Sequence, residues 1–436
     1  MTARRRRRSS PWRIALLVIL IGVALYFNQV VAPATPPLFM PTPTPTRSPQ
    51  AFTQDAAAYF QEGKLTEAAE AYQEAILSDP GNPTNYVSLA RVQIYLGEYD
   101  KAVTNAQNAL LKNPNNATAY AIQAWATHFL DDSLAAEGLV QKALELDPNH
   151  ALAYAVQAEI LMSRNDFGEV NKAIEASKLA VQLDPNLMEA YRSRGIVLAN
   201  TQNIPEAVEA YKQAIKLNDR IAELHYNLGS AYRLMGENSL AVDELLSAFA
   251  LNPRDPDIPT EIMLAYFNEG QYAKAAQFGE DAVKITPTNP RLRGYLGIMY
   301  YRNGDLDDAV EQLSLAVKGG EDAEGFVVEG LPLDYGKVAE FYYFYGFALA
   351  KSNRCAEAVP IFQSLISNLN PELEQIAVEN AIAGLELCKA GIETPEAGDT
   401  ATPEAGAEGE EGAGDGMEGE PTEDASAELP TEAAAP

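Results

Sequence analysis

The chain has 436 residues, 47% of them apolar, and a formal net charge of −29. Residues 1–50 carry seven Arg and no acid, residues 391–436 carry fourteen Asp or Glu and no base, and residues 51–390 hold the remaining −22. A polyanionic body lacks the Lys and Arg that neutralise phosphates, which excludes nucleic-acid binding. His128, His150 and His225 do not lie at metal-ligand spacing from each other or from either cysteine, so no metal site is expected.

The first predicted element follows a basic start, residues 1–13, with five consecutive Arg at 4–8. Ile14 to Val31 is apolar except for Asn28 and Gln29. As a helix it measures roughly 27 Å, close to the roughly 30 Å of a bilayer core. Trp12, Tyr26 and Phe27 stand at its edges. Residues 14–32 therefore read as a transmembrane anchor. The Arg cluster would stay in the cytoplasm and the rest of the chain outside. A cleaved signal peptide is the competing reading, because Ala32-Pro33-Ala34 has cleavage-site spacing. Residues 33–48 are rich in Pro and Thr and read as an extended spacer.

From residue 49 the chain repeats itself. Pro80, Pro114, Pro148, Pro185, Pro253 and Pro287 are separated by 34, 34, 37, 68 and 34 residues. The 68 is two units, with Asp219 where the missing proline would fall, and the 37 marks a three-residue insertion around 165–171. Each unit predicts a helix, a turn, a second helix and then the proline, where the second helix cannot continue. Gly63, Gly97, Asp131, Asn165, Gln202, Gly236, Gly270, Gly304 and Asn353 occupy the turns. Small residues recur where helices must touch: Ala56, Ala90, Ala124, Ala158, Gly195, Gly229, Gly297 and Gly346 in first helices, and Ala68 through Ala358 in second helices.

The 34-residue period, the small-residue positions and the closing Asp-Pro or Asn-Pro resemble the tetratricopeptide repeat. AVEAYKQAIKLND (207–219) and KAVTNAQNALLKNPNN (101–116) are close to that pattern. The resemblance implies an all-α, right-handed α-solenoid of about nine helical hairpins over 49–390, with first helices lining a concave face. Two units depart from it. Pro259 and Met263 suggest a late start to the seventh unit's first helix, and Pro360 should kink the ninth unit's second helix.

Residues 319–336, with five Gly and one Pro, interrupt the array and cannot form a regular helix. They read either as a tolerated loop or as a flap over the concave face. Residues 372–390 read as a capping helix. That helix should run antiparallel to the ninth unit's second helix, which puts Cys355 and Cys388 at matching heights. Outside the cytoplasm a disulfide between them is expected; two buried free thiols are the alternative. Residues 391–436 are acidic, low in large apolar residues and expected to be disordered.

No phosphate loop, nucleophile elbow or paired-His motif is present. No segment outside the repeats could house a catalytic domain, so no enzyme activity, cofactor or small-molecule substrate is expected. Binding remains. Trp125, Phe129, Met162, Arg192, Tyr226, Asn227, Arg233, Tyr295, Tyr301, Arg302 and Tyr343 fall on the exposed stripe of first helices. Arg beside Tyr and Asn on an acidic chain suits an extended peptide or its carboxylate; packing between units is the competing role for each aromatic. The sequence thus reads as a membrane-anchored extracytoplasmic scaffold of the bacterial type, serving envelope assembly, secretion or a surface structure. The alternative is an accessory subunit of a membrane-associated enzyme, such as a glycan-processing system.

Overall fold

The computed structural model describes residues 10–26, 29, 47–164, 167–333 and 337–393. Helix α1 is Pro11–Tyr26, with all its side chains exposed. It has 16 residues, and no helix among the described residues is long and apolar enough to cross a membrane. Of the expected anchor, 14–32, the described residues 14–26 are helical; residues 27–28 and 30–32 lie outside the described residues, as do most of the 33–48 spacer and the tail from 394.

Nine hairpins follow: α2 and α3 (Pro49–Gln61, Leu65–Ser78), α4 and α5 (Pro83–Tyr95, Tyr99–Lys112), α6 and α7 (Ala117–His128, Ser133–Leu146), α8 and α9 (Ala151–Ser163, Phe167–Leu183), α10 and α11 (Met188–Asn200, Ile204–Leu217), α12 and α13 (Ala222–Leu234, Asn238–Leu251), α14 and α15 (Asp257–Asn268, Tyr272–Ile285), α16 and α17 (Pro290–Asn303, Leu306–Lys318), and α18 and α19 (Lys337–Lys351, Cys355–Asn368). Helix α20 (Gln375–Glu393) closes the row and packs on α18 and α19.

The local chemistry explains the repeat. Eight of the nine expected turn residues have positive φ, from 57° at Asn353 to 94° at Gly304; Asn165 lies outside the described residues. A left-handed residue there lets the chain reverse between helices. The Asp or Asn before Pro80, Pro114, Pro148 and Pro185, and Asn218 before Asp219, does a second job. Asp79, Asn113, Asp147, Asp184 and Asn218 each accept the backbone N–H two residues on, at 2.9–3.2 Å, which forms the turn that leads into the next hairpin. The following Asn or His then caps the next first helix: Asn82, Asn116 and Asn289 accept from its N-terminal N–H groups, and His150 does so through Nδ1.

The small residues sit where helices cross. The recurring second-helix Ala, from Ala68 to Ala358, is fully buried in every unit. Within a hairpin, the ring or branch sixteen residues later fills the space over each first-helix glycine. A Cβ on Gly195, Gly229, Gly297 or Gly346 would meet Tyr211, Leu245, Leu313 or Phe362 at 2.4–2.6 Å. Consecutive first helices from α4 to α14 touch each other, whereas neighbouring second helices make no comparable approach among the described residues. First helices therefore line the inner face.

The two irregular units are milder than expected. Helix α14 begins at Asp257, with Pro259 in its first turn, where no intrahelical N–H partner is lost. Helix α19 is continuous through Pro360. The 319–336 insertion contains a short antiparallel hairpin, β1 (Gly320–Glu321) paired with β2 (Val327–Val328). It is pinned down: Arg293 on α16 pairs with Asp322, Leu331 N–H donates to Ala316 O at 2.9 Å, and Tyr342 O–H donates to Leu331 O at 2.9 Å. Leu331 and Leu333 pack into the α14–α20 core.

Candidate partner-binding surface

The inner face has two regions with different fates. In the first, units one and two fold back onto units five and six. Phe60, Tyr72, Leu89 and Val92 share one apolar cluster with Met188, Ala214, Ile221 and Leu224. Asn218 Nδ2 donates to Phe60 O at 3.4 Å. Arg91 Nε and Tyr95 O–H both donate to Glu189 Oε1, at 2.5 and 3.0 Å. These contacts link residues 94–158 positions apart in sequence.

The centre of this closed turn is charged and aromatic. Arg192 is 2% exposed. It donates to Glu159 at 2.6 Å and to Glu223 at 2.5–2.7 Å, and its guanidinium lies 5.1 Å over the Trp125 ring. Tyr95 meets Trp125 edge-on at 5.4 Å. Burial raises the Glu159 carboxyl, partly opposed by Arg192, and lowers His128. Trp125 Nε1, His128 Nδ1 and Glu189 Oε2 have no hydrogen-bond partner. Arg192, expected to face a peptide, is instead committed inside the protein, and Trp125 with it. The inner face is shut here, with Arg192 and Trp125 buried within it.

The second region is the inner face of units six to nine. Tyr226 is half-buried against the cluster of α13 and α14, and Asn227 is half-buried with Nδ2 unpartnered. Arg233 is paired with Glu261 at 2.6 and 3.2 Å, with both side chains largely covered. Tyr295 is buried, edge-on to Phe341 at 5.3 Å. None of these four is a free contact residue.

Tyr301, Arg302 and Tyr343 behave differently, because the structure brings them together. Phe344 lies 5.1 Å from Tyr301, 4.8 Å from Tyr343 and 5.3 Å beneath the Arg302 guanidinium. Phe347 lies 6.4 Å from Tyr301, and Lys351 Nζ stands 4.7 Å over the Tyr301 ring. Arg302 and Lys351 are exposed, and Tyr301 and Phe347 are half-buried. Neither cation has a carboxylate partner among the described residues. The Tyr343 hydroxyl is held well above its ordinary pKa by burial and then by Glu340. Phe344, Phe347 and Lys351 were missed as site residues. The spacing of Tyr343, Phe347 and Lys351, four apart on α18, was the available signal, since such residues share one helix face.

At the end of the row, Cys355 and Cys388 are joined as a disulfide, with Cα atoms 5.4 Å apart. It ties α20 to the start of α19.

Tetratricopeptide-repeat family models match residues 59–126 and 266–324, a TPR-repeat model matches 200–236, and another tetratricopeptide-repeat model matches 222–255. The chain thus carries tetratricopeptide repeats over these segments, a repeat typical of non-catalytic protein–protein interaction scaffolds. Among solved structures it is similar to MamA (31% identity over 33% of this chain and 85% of that one, TM-score 0.32). It is also similar to pilF of Pseudomonas aeruginosa (21%, 45% and 88%, TM-score 0.40) and to the APC/C hetero-tetramer Cut9–Hcn1 (14%, 84% and 82%, TM-score 0.49). No curated protein matches the chain.

Proposed function

We propose that this protein is a scaffold held at the outer face of a cytoplasmic membrane by its N-terminal helix, and that it receives an extended, carboxylate-bearing segment of a partner protein on the inner face of units eight and nine. The observation that carries the docking site is the pair of exposed cations, Arg302 and Lys351, lying over Phe344 and Tyr301 without carboxylates of their own among the described residues. Both stand beside half-buried Tyr301 and Phe347. A peptide carboxylate adds a charge-assisted hydrogen bond to the guanidinium, and an apolar side chain next to it covers the rings. Envelope assembly, secretion or surface-structure building is the setting that the basic start, the apolar segment and the Pro/Thr spacer suggest together.

The docking site is tested by calorimetric titration of the purified chain, cleaved at a protease site inserted after Glu393 and freed of the acidic segment that follows, with a short synthetic peptide alternating Glu and Phe. Binding that weakens about tenfold or more in Arg302→Ala/Lys351→Ala supports it, since two lost charge contacts remove roughly 1.4 kcal/mol or more. Equal binding by the double variant refutes it. The anchor is tested separately by membrane extraction and N-terminal sequencing: a mature chain beginning near Thr35 would remove it.

A further inference from the structure

We infer that residues 394–436 of this same chain dock on the Arg302–Lys351 patch and shield it until a tighter-binding partner displaces them, an inference that rests on the reading of that patch as a carboxylate-binding site. Three observations converge on it.

The first is charge. Residues 394–436 contain thirteen Asp or Glu and no Lys or Arg. The patch offers two exposed cations without acidic partners among the described residues.

The second is place. Helix α20 ends at Glu393, five residues past Cys388. Cys388 is bonded to Cys355, with Cα atoms 5.4 Å apart, and Cys355 lies four residues beyond Lys351. Four residues span at most about 15 Å, and five helical residues advance about 7.5 Å. The acidic segment therefore leaves the fold within about 30 Å of Lys351. The disulfide fixes that exit point, because it holds α20 against the helix next to the patch.

The third is reach. Forty-three residues can extend to roughly 140 Å, so the distance is no obstacle. A tethered segment this close has an effective concentration on the order of 1 mM. A segment that binds in isolation with a Kd of about 0.1 mM would then compete with an outside peptide by about tenfold. Binding of this kind rests on exposed charges and weakens steeply with salt.

The experiment uses the full chain in detergent, with a photo-crosslinking phenylalanine analogue in place of Phe347 and a protease site inserted after Glu393. Crosslinked peptides from residues 394–436 are expected at low salt. Their yield should fall several-fold in about 0.5 M NaCl and equally in Arg302→Ala/Lys351→Ala. Crosslinks elsewhere, or a yield indifferent to salt and to the double variant, overturn the inference. Mixing isotopically heavy and light chains assigns the contact: heavy–light products that grow with concentration would overturn the intrachain assignment in favour of a second copy. Cutting after Glu393 should then raise affinity for the Glu-Phe peptide about tenfold. Binding that is unchanged by the cut sinks the tail alone. Failure to bind even after the cut sinks the site on which the inference rests.

Discussion

Replacing Arg192 with Met removes the cation that bridges Glu159 and Glu223 at the centre of the closed turn. Glu159 and Glu223 lie within 2.7 Å of it, and Glu189 is close enough to raise Glu159 further. Deleting one partner of a buried ion pair leaves an uncompensated charge and costs roughly 3–5 kcal/mol. Met fills most of the aliphatic volume over Trp125, so the loss is electrostatic rather than a cavity. Because repeat arrays couple mainly to their neighbours, the loss should concentrate in units four to six. Urea unfolding of Arg192→Met should lose roughly 3–5 kcal/mol at pH 7, with amide exchange accelerated in α8, α10 and α12 before α16 or α18. The pH dependence follows from the raised Glu159 pKa. A carboxyl raised on folding contributes stability that is fully present below its unfolded pKa and lost as pH rises through the folded value. Without Arg192 that rise is larger, so the deficit should shrink between pH 7 and pH 5, and Glu159→Gln should recover part of it at pH 7. A deficit under about 1 kcal/mol, the level of an exposed ion pair, or one indifferent to pH, would refute the buried-network account.

Gly63→Ala should destabilise the ring closure by about 1–3 kcal/mol, since φ is +74° and a Cβ would meet Arg220 at 2.7 Å; an unchanged urea midpoint would contradict it. Burial alone would lower the His225 pKa, but hydrogen bonds to Glu244 and to the Asp219 carbonyl raise it overall. The stability it contributes is therefore full below the ordinary imidazole pKa and lost as pH rises through the folded value. His225→Gln should accordingly cost more at pH 6 than at pH 8, and an equal cost at both would count against the pair. Gly384→Ala places a Cβ 2.2 Å from the Phe362 ring, so α20 should loosen, read as faster amide exchange at Cys388. Intact mass should rise only after reduction and alkylation. Cys355→Ser should lower stability by about 3–4 kcal/mol for a 33-residue separation; alkylation of both thiols without reductant would overturn the bond.

What the sequence revealed was what repeats locally. The turn positions, the Asp-Pro closures and the buried alanines each depend on residues within one 34-residue unit, so the period alone exposes them. The short β-hairpin was hidden, because two-residue strands in a Gly-rich stretch leave no alternating pattern, and the contacts that hold it, Arg293 with Asp322 and Tyr342 with Leu331, come from neighbouring helices. Ring closure was hidden for another reason. It depends on small rotations accumulated across five hairpins, and it joins Phe60 to Asn218 and Arg91 to Glu189 across long sequence distances. The face on which Arg192 lies could be read from helical spacing, whereas the loss of open space in front of it could not. At units eight and nine the same spacing picked out Tyr301 and Arg302, which stay on the surface, and Tyr343, which is buried beside them.

The inner face is closed where units one and two meet units five and six, and available at units eight and nine. Amide-exchange mapping of the full chain, with and without the Glu-Phe peptide, tests it most directly. New protection confined to α16 and α18, with α4, α6 and α8 unchanged, is the expected result. Protection along α4, α6 and α8 would mean that the closed turn opens to take the peptide, and would contradict the account.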